Sequence, residues 1–308
     1  DIPTDCIVPT VGSMQAAFAI NMLVSQLDKE RDTILFLDPC FPVQKQQCKV
    51  IGVRVDAFDV ADFRGEALAD ELERHFKSGR IAAMLFSNPN NPVGCIYSPE
   101  EIRSIAAMAK EYGATLLVDE LYSRQVYPGT EYTHLCALEE IPDNLVTIIG
   151  PSKTESLSGY RLGVAYGTAE IIQRMEKLQA IMSLRCSGYN QAVFQTWFNE
   201  PEGWMDARVA AHQEIRDAIM AKLEGVPGVF ARPTQGGSYL FITIPELDVT
   251  LHQFIRILRE LANVTVTPGT EFGPQFLHQF RINFSQDKEK AVAAIERFLI
   301  VLERYRKQ

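Results

Sequence analysis

The chain has 308 residues, a length typical of about two domains. Hydrophobic residues make up 46% and charged residues 22% of the sequence, which excludes a mainly disordered, collagen-like or disulfide-framework protein. The formal net charge of −9 argues against nucleic acid or an anionic membrane as the main partner, although it is compatible with a local basic pocket for a small anion.

Six cysteines are scattered along the chain, without a CxxC pair or a Cys/His cluster of metal-ligand spacing. This pattern predicts reduced thiols, no metal site and a cytoplasmic location. The sequence contains neither an apolar run of about 20 residues nor a recognisable signal peptide, so we expect no membrane partner.

Short apolar runs alternate with longer helix-period stretches over the first 195 residues. The apolar runs have the composition of buried parallel strands and occupy residues 33–37, 82–86, 114–118, 145–149 and 162–166. Helices are predicted between them at residues 13–27, 65–76 and 98–112. The last begins with Ser98, Pro99 and Glu101, a capping box with Pro at the first helical position. This alternation predicts an α/β three-layer sandwich with a mostly parallel sheet.

The pattern changes after about residue 195. Helices are predicted at 204–223, 251–262 and 287–305, and short strands at 238–244, 264–267 and 280–284. We therefore predict a large domain over residues 1–195 and a smaller α+β domain over residues 196–308. Because no flexible linker is visible, we expect the boundary to be a bend within a long helix.

Common nucleotide and nucleophile motifs are absent from the sequence. No G-x-G-x-x-G follows a predicted strand, and no G-x-S-x-G is present. Residues 150–154 resemble a P-loop only weakly, since Ser152 stands where the motif requires Gly before Lys153. The five histidines fall in polar helical or loop contexts, which favours solvated or structural roles for them.

Polar residues follow the predicted strands at the edge of the sheet where open α/β folds bind ligands. We expect them, with the start of the first helix, to converge on one crevice. They are Gly12 and Ser13 at the helix start, Asn91, Asp119, Tyr122, Ser152 and Lys153 after successive strands, and Arg161 before the last strand.

Four of these residues have the chemistry to bind the ring of a phosphorylated aromatic aldehyde. Lys153 can form a Schiff base with the aldehyde. Asp119 can keep a pyridinium nitrogen protonated, which makes the ring an electron sink. Tyr122 and Asn91 can hydrogen-bond a phenolate oxygen.

The remaining residues suit the phosphate and the face of the ring. The helix that begins at Ser13 can bind a phosphate through its free N–H groups, and Arg161 can pair with the same phosphate in fork geometry. Phe41 can stack on the ring. Each residue alone has an ordinary structural explanation, but their order at successive strand ends favours one common site.

These motifs resemble those of the class I/II aminotransferase family, whose members are fold type I enzymes dependent on pyridoxal 5′-phosphate. The Asn-Pro-Val-Gly sequence from Asn91 resembles the family's Asn-Pro-Thr-Gly, and the Asp-Glu-Leu-Tyr sequence from Asp119 resembles its Asp-x-x-Tyr. Lys153, followed eight residues later by Arg161 within Gly-x-Arg-x-Gly, resembles the lysine signature, the most specific of the set.

The resemblance covers nearly the whole chain and implies further roles. It assigns Phe41 as the stacking ring and places Gly12, Ser13 and Met14 at the start of the phosphate-binding helix. It assigns Arg281, on a predicted strand, to the α-carboxylate of the substrate, and adds Asn91 to the substrate contacts. Amino acids and 2-oxo acids are the implied substrates, and a homodimer is the implied assembly.

The sequence departs from the family pattern at three places. Thr154, Glu155 and Ser156 are more polar than is usual just after the lysine. Gly150 stands where the family often has a phosphate-binding Ser, three residues before the lysine. The family also carries a substantial segment before the phosphate-binding helix, whereas eleven residues precede Gly12 here. We therefore expect either a disordered start outside this sequence or a truncated form.

Lys153, Asp119 and Tyr122 are thus the predicted catalytic residues of a transaminase that works through a Lys153 Schiff base. Two alternatives stay open. One is another pyridoxal-phosphate enzyme on this fold, namely a β-lyase, a decarboxylase, or a cyclase or oxidase of secondary metabolism. The other is a non-catalytic homologue that binds the cofactor, which the joint presence of Lys153 and Arg281 disfavours.

Overall fold

The computed structural model describes residues 2–27, 30–60 and 63–307. Its main sheet has seven strands in the order β1-β7-β6-β5-β4-β2-β3. They are β1 (Ile7–Val11), β2 (Thr33–Asp38), β3 (Arg54–Asp59), β4 (Ile81–Ser87), β5 (Thr115–Asp119), β6 (Leu145–Ile149) and β7 (Leu162–Gly167). All strands run in one direction except β7, which is antiparallel to both β6 and β1.

The strand predicted at 162–166 is therefore present, but its predicted parallel direction is wrong. Burial on both faces gives a strand the same apolar composition in either direction. The two edge strands were not predicted at all. β1 is short and contains Pro9, and β3 is rich in charge, as is common where a strand has a neighbour on one side only.

Helices cover both faces of the sheet, which confirms the predicted three-layer α/β sandwich. The helices of this part of the chain are α1 (Gly12–Leu27), α2 (Pro42–Val50), α3 (Glu66–Phe76), α4 (Pro99–Glu111), α5 (Ala169–Ser183) and α6 (Gly188–Gln191). Successive residues of β2 belong to different cores. Phe36 packs in a core with residues of α1 and α5, and Leu37 packs in a core with residues of α3 and α4.

The predicted start of α4 is also confirmed. The Ser98 side chain accepts a hydrogen bond from the Glu101 N–H at 3.2 Å, and the Glu101 carboxylate accepts one from the Ser98 N–H at 2.8 Å. Pro99 occupies the first helical position. The sequence pattern thus defines the helix start because the cap is satisfied by side chains close in sequence.

A second sheet lies in the C-terminal part of the chain. It is antiparallel, in the order β10-β11-β9-β8, with strands β8 (Phe230–Ala231), β9 (Tyr239–Thr243), β10 (Thr267–Pro268) and β11 (Gln279–Asn283). Its helices are α7 (Trp204–Leu223), α8 (Leu251–Ile257) and α9 (Lys288–Tyr305). The core between them contains Leu240, Phe254, Phe280 and Phe298, so this part of the chain buries its own hydrophobic surface.

The connection between the two sheets differs from the prediction of one long bent helix. α5 ends at Ser183, and α7 begins only at Trp204 after a series of short helical turns. The division of the chain into domains at residues 195 and 196 stays a prediction. Within the described part of the chain, none of the helices is long and apolar enough to cross a membrane.

The reversed strand β7 places its first residues at the same sheet edge as the carboxyl ends of its neighbours. There the Gly12 N–H donates a hydrogen bond to the Arg161 carbonyl at 2.8 Å. Gly163 lies directly behind this bond. A Cβ at Gly163 would approach the backbone of Gly12 and Ser13 to 2.5 Å, so only glycine permits this contact.

Replacing Gly163 with Ala should therefore separate β7 from the start of α1. We expect Gly163→Ala to destabilise the protein by about 1–3 kcal/mol, because the opposing atoms belong to the backbone and cannot rotate away. Gly159→Ala is the matched control, since no described residue other than its chain neighbours places an atom within 4 Å of a Cβ at Gly159. Urea unfolding of both variants measures the difference, and equal midpoints would show that β7 accommodates a methyl group.

Candidate active site

A cavity lies at the sheet edge formed by the carboxyl ends of the parallel strands. All of the predicted site residues except Gly12 and Arg281 line this cavity, together with Ser87, Leu121 and Ser158. The strand ends therefore bring together residues that are far apart in sequence, as expected for an open α/β sheet. Ser87, Leu121 and Ser158 were not predicted, and they carry no motif of their own beside the predicted residues.

One end of the cavity has the properties of an anion site. Ser13 and Met14 lie in the first turn of α1, where backbone N–H groups have no partner within the helix. The Arg161 guanidinium lies beside this turn and donates to the Ser158 carbonyl at 2.9 Å. A Cβ at Gly12, which has a positive φ of 67°, would overlap this guanidinium. The missing side chain thus lets a cation and a helix start lie together, which suits a phosphate.

Another part of the cavity holds a carboxylate whose hydrogen-bond donors, among the described residues, are neutral. Asp119 ends β5, and its carboxylate accepts hydrogen bonds from the Leu121 N–H at 3.2 Å and from Gln44 Nε2 at 3.3 Å. Burial raises the pKa of Asp119 to about 6, although the Leu121 N–H and the nearby positive charge of Lys153 lower it. A carboxylate in this setting is stabilised by a cationic N–H such as that of a pyridinium ring.

Gln44 is a partner of Asp119 that sequence reasoning missed. It lies on α2, three residues after Phe41, and it is buried. The surrounding helix is polar, so the sequence gives no sign that this glutamine faces inward. Lys153, by contrast, lies where predicted, in the turn after β6 with its side chain exposed at the cavity.

Arg281 lies next to the cavity without lining it. Its guanidinium donates to Asn91 Oδ1 at 2.9 Å and to Thr267 Oγ1 at 3.2 Å, while its Nε is buried without a partner among the described residues. The guanidinium also lies 4.2 Å from the ring centroid of Tyr239. Asn91 does line the cavity, so the contact between Asn91 and Arg281 joins the second sheet to the site.

Tyr239 is the second residue that sequence reasoning missed. Its hydroxyl lies 3.0 Å from the hydroxyl of Tyr122, which lines the cavity. Nothing in the sequence around Tyr239 indicates a contact with Tyr122. This contact depends on how the two sheets pack.

The polar residues after Lys153 anchor the turn that carries it. Glu155 is buried and pairs with Arg124 at 2.5 Å, and Arg124 also binds both carboxylate oxygens of Glu200 at 2.9 Å. Arg124 thus connects the lysine turn with the segment that precedes α7. At Gly150, a Cβ would lie 3.2 Å from the Leu162 carbonyl, so β7 leaves little space for a serine at this position.

Comparison with known proteins places this site in a family. Residues 3–298 match the sequence model of the family Aminotransferase class I and II. An aspartate aminotransferase from Rhodobacter sphaeroides 2.4.1, known from a crystal structure, is 47% identical. The structural match has a TM-score of 0.92 and covers 99% of this chain and 77% of that one.

Two more distant relatives also match nearly the whole chain. The aspartate aminotransferase of Pyrococcus horikoshii is 26% identical over 98% of this chain and 77% of its own length. Cystalysin from Treponema denticola, whose crystal structure contains pyridoxal 5′-phosphate, is 20% identical. It shares the fold with a TM-score of 0.89, over 99% of this chain and 78% of its own.

The chain therefore belongs to the class I and II aminotransferase family. It has the fold type I architecture predicted from its sequence, and the predicted aminotransferase activity and pyridoxal 5′-phosphate cofactor are confirmed at the level of the family. The residues of the site fit this cofactor. The glycine-lined space beside Arg161 suits the phosphate, and the carboxylate of Asp119, contacted by neutral donors, suits the ring nitrogen.

The raised pKa of Asp119 makes a prediction about the cofactor-free protein. The folded-state pKa of about 6 exceeds the unfolded value of about 3.9, so the folded state binds this proton more tightly. The contribution of this group to stability is therefore fully present below about pH 4 and is lost as the pH rises to about 6. Asp119→Asn should remove that pH dependence, which is about 3 kcal/mol.

Urea unfolding of the cofactor-free protein at several pH values between about 4 and 8 measures this difference. Asp143→Asn, which removes an exposed carboxylate, serves as the matched control and should keep the pH profile of the parent. If Asp119→Asn also keeps the parent profile, Asp119 does not hold a raised pKa in the folded protein.

Proposed function

We propose that this aminotransferase transfers the amino group of an α-amino acid to a 2-oxo acid, with Lys153 as the residue that moves the proton. The observation that supports this most strongly is the convergence of Lys153, Asp119 and Arg161 on one cavity, from three different segments of the chain. A cation for phosphate, a carboxylate for the ring nitrogen and an amine beside them meet three separate requirements of the cofactor.

The cofactor contacts follow from the same cavity. We assign its phosphate to Arg161 and the first turn of α1, and its ring nitrogen to Asp119. Phe41 is assigned to the face of the ring, and Tyr122 and Asn91 to its phenolic oxygen. When bound, pyridoxal 5′-phosphate supplies an electron sink for the charge that develops at the substrate Cα.

The residues of the chain then position the substrate and move its proton. Lys153 removes the proton from the substrate Cα and returns a proton as general acid. Asp119 keeps the ring nitrogen protonated by its negative charge. Arg281 binds the α-carboxylate, for which the guanidinium offers two parallel donors, and so orients the Cα substituents relative to the ring.

The relatives favour transamination over a lyase, decarboxylase, cyclase, oxidase or non-catalytic role. The Rhodobacter and Pyrococcus relatives are both named aspartate aminotransferases. We therefore infer that aspartate is the first amino donor to test. A screen of amino acids against the cofactor-loaded protein, followed by absorbance with and without a 2-oxo acid, measures the substrate range.

We further propose that the protein is a cytoplasmic homodimer. Large apolar side chains are exposed from the last turn of α5 to α6, with Ile181 83%, Leu184 76% and Tyr189 80% exposed. This segment follows β7, whose first residue adjoins the Arg161 side of the cavity, so a second copy seated there would shield both the apolar surface and the site. Sedimentation equilibrium should give twice the chain mass, and a fully active monomer would contradict the proposal.

The role of Lys153 predicts a labelling result. Reduction of the cofactor-loaded protein with borohydride should fix the cofactor to the peptide that contains Lys153, as read by mass spectrometry. Lys153→Ala should lose this label and about a thousandfold or more of the turnover, since general acid–base catalysis contributes on that scale. Lys49→Ala, on the exposed side of α2, is the control and should keep both. Retention of the label in Lys153→Ala would show that the cofactor is attached to another residue.

The role of Arg281 predicts selectivity for carboxylates. A charge-assisted hydrogen bond contributes about 1.5–3 kcal/mol, so Arg281→Ala should weaken amino-acid binding by roughly one to two decades. Arg281→Lys should restore part of the loss, because an ammonium lacks the planar fork. Amines without a carboxylate should be nearly unaffected in the half-reaction. An equal loss for amino acids and amines would show that Arg281 does not bind the carboxylate.

A further inference from the structure

Two tyrosine hydroxyls meet where the two sheets approach each other. Tyr122 follows β5 and is 4% exposed, and Tyr239 begins β9 and is 6% exposed. Their oxygens lie 3.0 Å apart, and their rings are nearly perpendicular, with centroids 5.7 Å apart. This hydrogen bond is buried, so neither hydroxyl can exchange it freely for water.

Tyr239 also contacts Arg281, the residue assigned to the α-carboxylate of the substrate. The Arg281 guanidinium lies 4.2 Å from the centroid of the Tyr239 ring, within range of a cation–π contact. Tyr239 thus touches Tyr122 through its hydroxyl and Arg281 through its ring face. One side chain connects the residue assigned to the phenolic oxygen of the cofactor with the residue assigned to the carboxylate of the substrate.

The number of protons restricts how this pair can work. A tyrosine hydroxyl donates one hydrogen bond, so Tyr122 cannot donate to Tyr239 and to a cofactor oxygen at the same time. In the structure the Tyr122 hydroxyl donates to the Tyr239 hydroxyl. If Tyr122 donates to the cofactor instead, the bond between the tyrosines survives only with Tyr239 as donor. Donation from Tyr239 also polarises the Tyr122 O–H and strengthens its hydrogen bond to the next acceptor.

The surroundings of Tyr122 determine whether it keeps its proton. Burial, Tyr239 and Asp119 hold the pKa of Tyr122 well above its usual value, while Arg281 lowers it. Tyr122 therefore keeps its proton and can act as a donor. Which tyrosine donates to the other is then set by the single proton of each hydroxyl.

We propose that Tyr239 is a positioning residue that directs the Tyr122 O–H toward the phenolic oxygen of the cofactor and supports Arg281 with its ring. This inference rests on the proposed function, since it takes the assignments of Tyr122 and Arg281 from there. The two actions are separable, because the hydroxyl serves Tyr122 and the ring face serves Arg281.

Tyr239→Phe tests the hydroxyl, and Tyr239→Leu tests the hydroxyl and the ring together. The main readout is the pH midpoint of the absorbance of the bound cofactor. Loss of donation toward an anionic oxygen makes the conjugated system more basic, so Tyr239→Phe should raise this midpoint by about half a pH unit. Tyr122→Phe should raise it further, and the double variant should match Tyr122→Phe alone, because Tyr239 acts only through Tyr122.

Substrate affinity separates the role of the Tyr239 ring, which contacts Arg281, from the role of its hydroxyl. Tyr239→Phe keeps the ring below Arg281, so the dissociation constant for the amino acid should stay within about twofold of the parent. Tyr239→Leu should raise that constant by about three- to tenfold, the scale of a buried cation–π contact. Tyr127→Phe is the matched control. The Tyr127 hydroxyl is bonded to the Gly237 carbonyl at 2.6 Å, and Arg216 lies 4.5 Å from its ring centroid.

The outcomes distinguish this inference from the proposed function. A parent protein that binds no cofactor or transaminates nothing would overturn both. If the parent is active but Tyr239→Phe leaves the midpoint unchanged, or shifts it only as much as Tyr127→Phe does, the positioning role is wrong while the proposed function stands. A midpoint for the double variant equal to the sum of the single shifts would also overturn the role, because the tyrosines would then act independently.

Discussion

One backbone hydrogen bond, from the Gly12 N–H to the Arg161 carbonyl at 2.8 Å, joins the two segments that form the anion-binding end of the cavity. It exists because β7 runs against its neighbours and so begins where β1 ends. Gly163 lies behind the bond at a distance that excludes any side chain. The pairing of a helix start with a guanidinium is therefore imposed by the backbone, and the rest of the site is arranged around it.

The cavity keeps its charged groups apart from one another. Among residues 2–27, 30–60 and 63–307, neither Asp119 nor Arg161 nor Arg281 forms an ion pair, and each is held by neutral donors or acceptors. Charges held without a partner cost free energy in the absence of ligand. A ligand with a phosphate, a ring N–H and a carboxylate offsets that cost, so the same groups provide both affinity and selectivity.

The sequence predicted most of the buried strands because each is a short apolar run between turn residues. It failed where composition carries no such signal. β3 is a charged edge strand, and β7 has the composition of its parallel neighbours although it runs in the opposite direction. The sequence predicts a bent helix near residue 195 because no loop composition marks the turns between α5 and α7.

The site was predictable to the extent that its residues lie in motifs at strand ends. The cavity lining includes nearly all of them, because the carboxyl ends of the strands share one edge. Gln44 and Tyr239 were not assigned any role, since their contacts with Asp119 and Tyr122 span 75 and 117 residues. Such contacts are set by the packing of helices and sheets, which no local pattern records.

The contact of Arg281 with Asn91, across 190 residues, has a consequence for how the protein folds. A site built from segments this far apart in sequence exists only in the folded chain, because the unfolded chain does not hold them together. The unfolded chain then offers the cofactor no phosphate cradle and no partner for its ring. The cofactor therefore binds the native state and not the unfolded chain. A higher cofactor concentration then stabilises the folded enzyme by mass action.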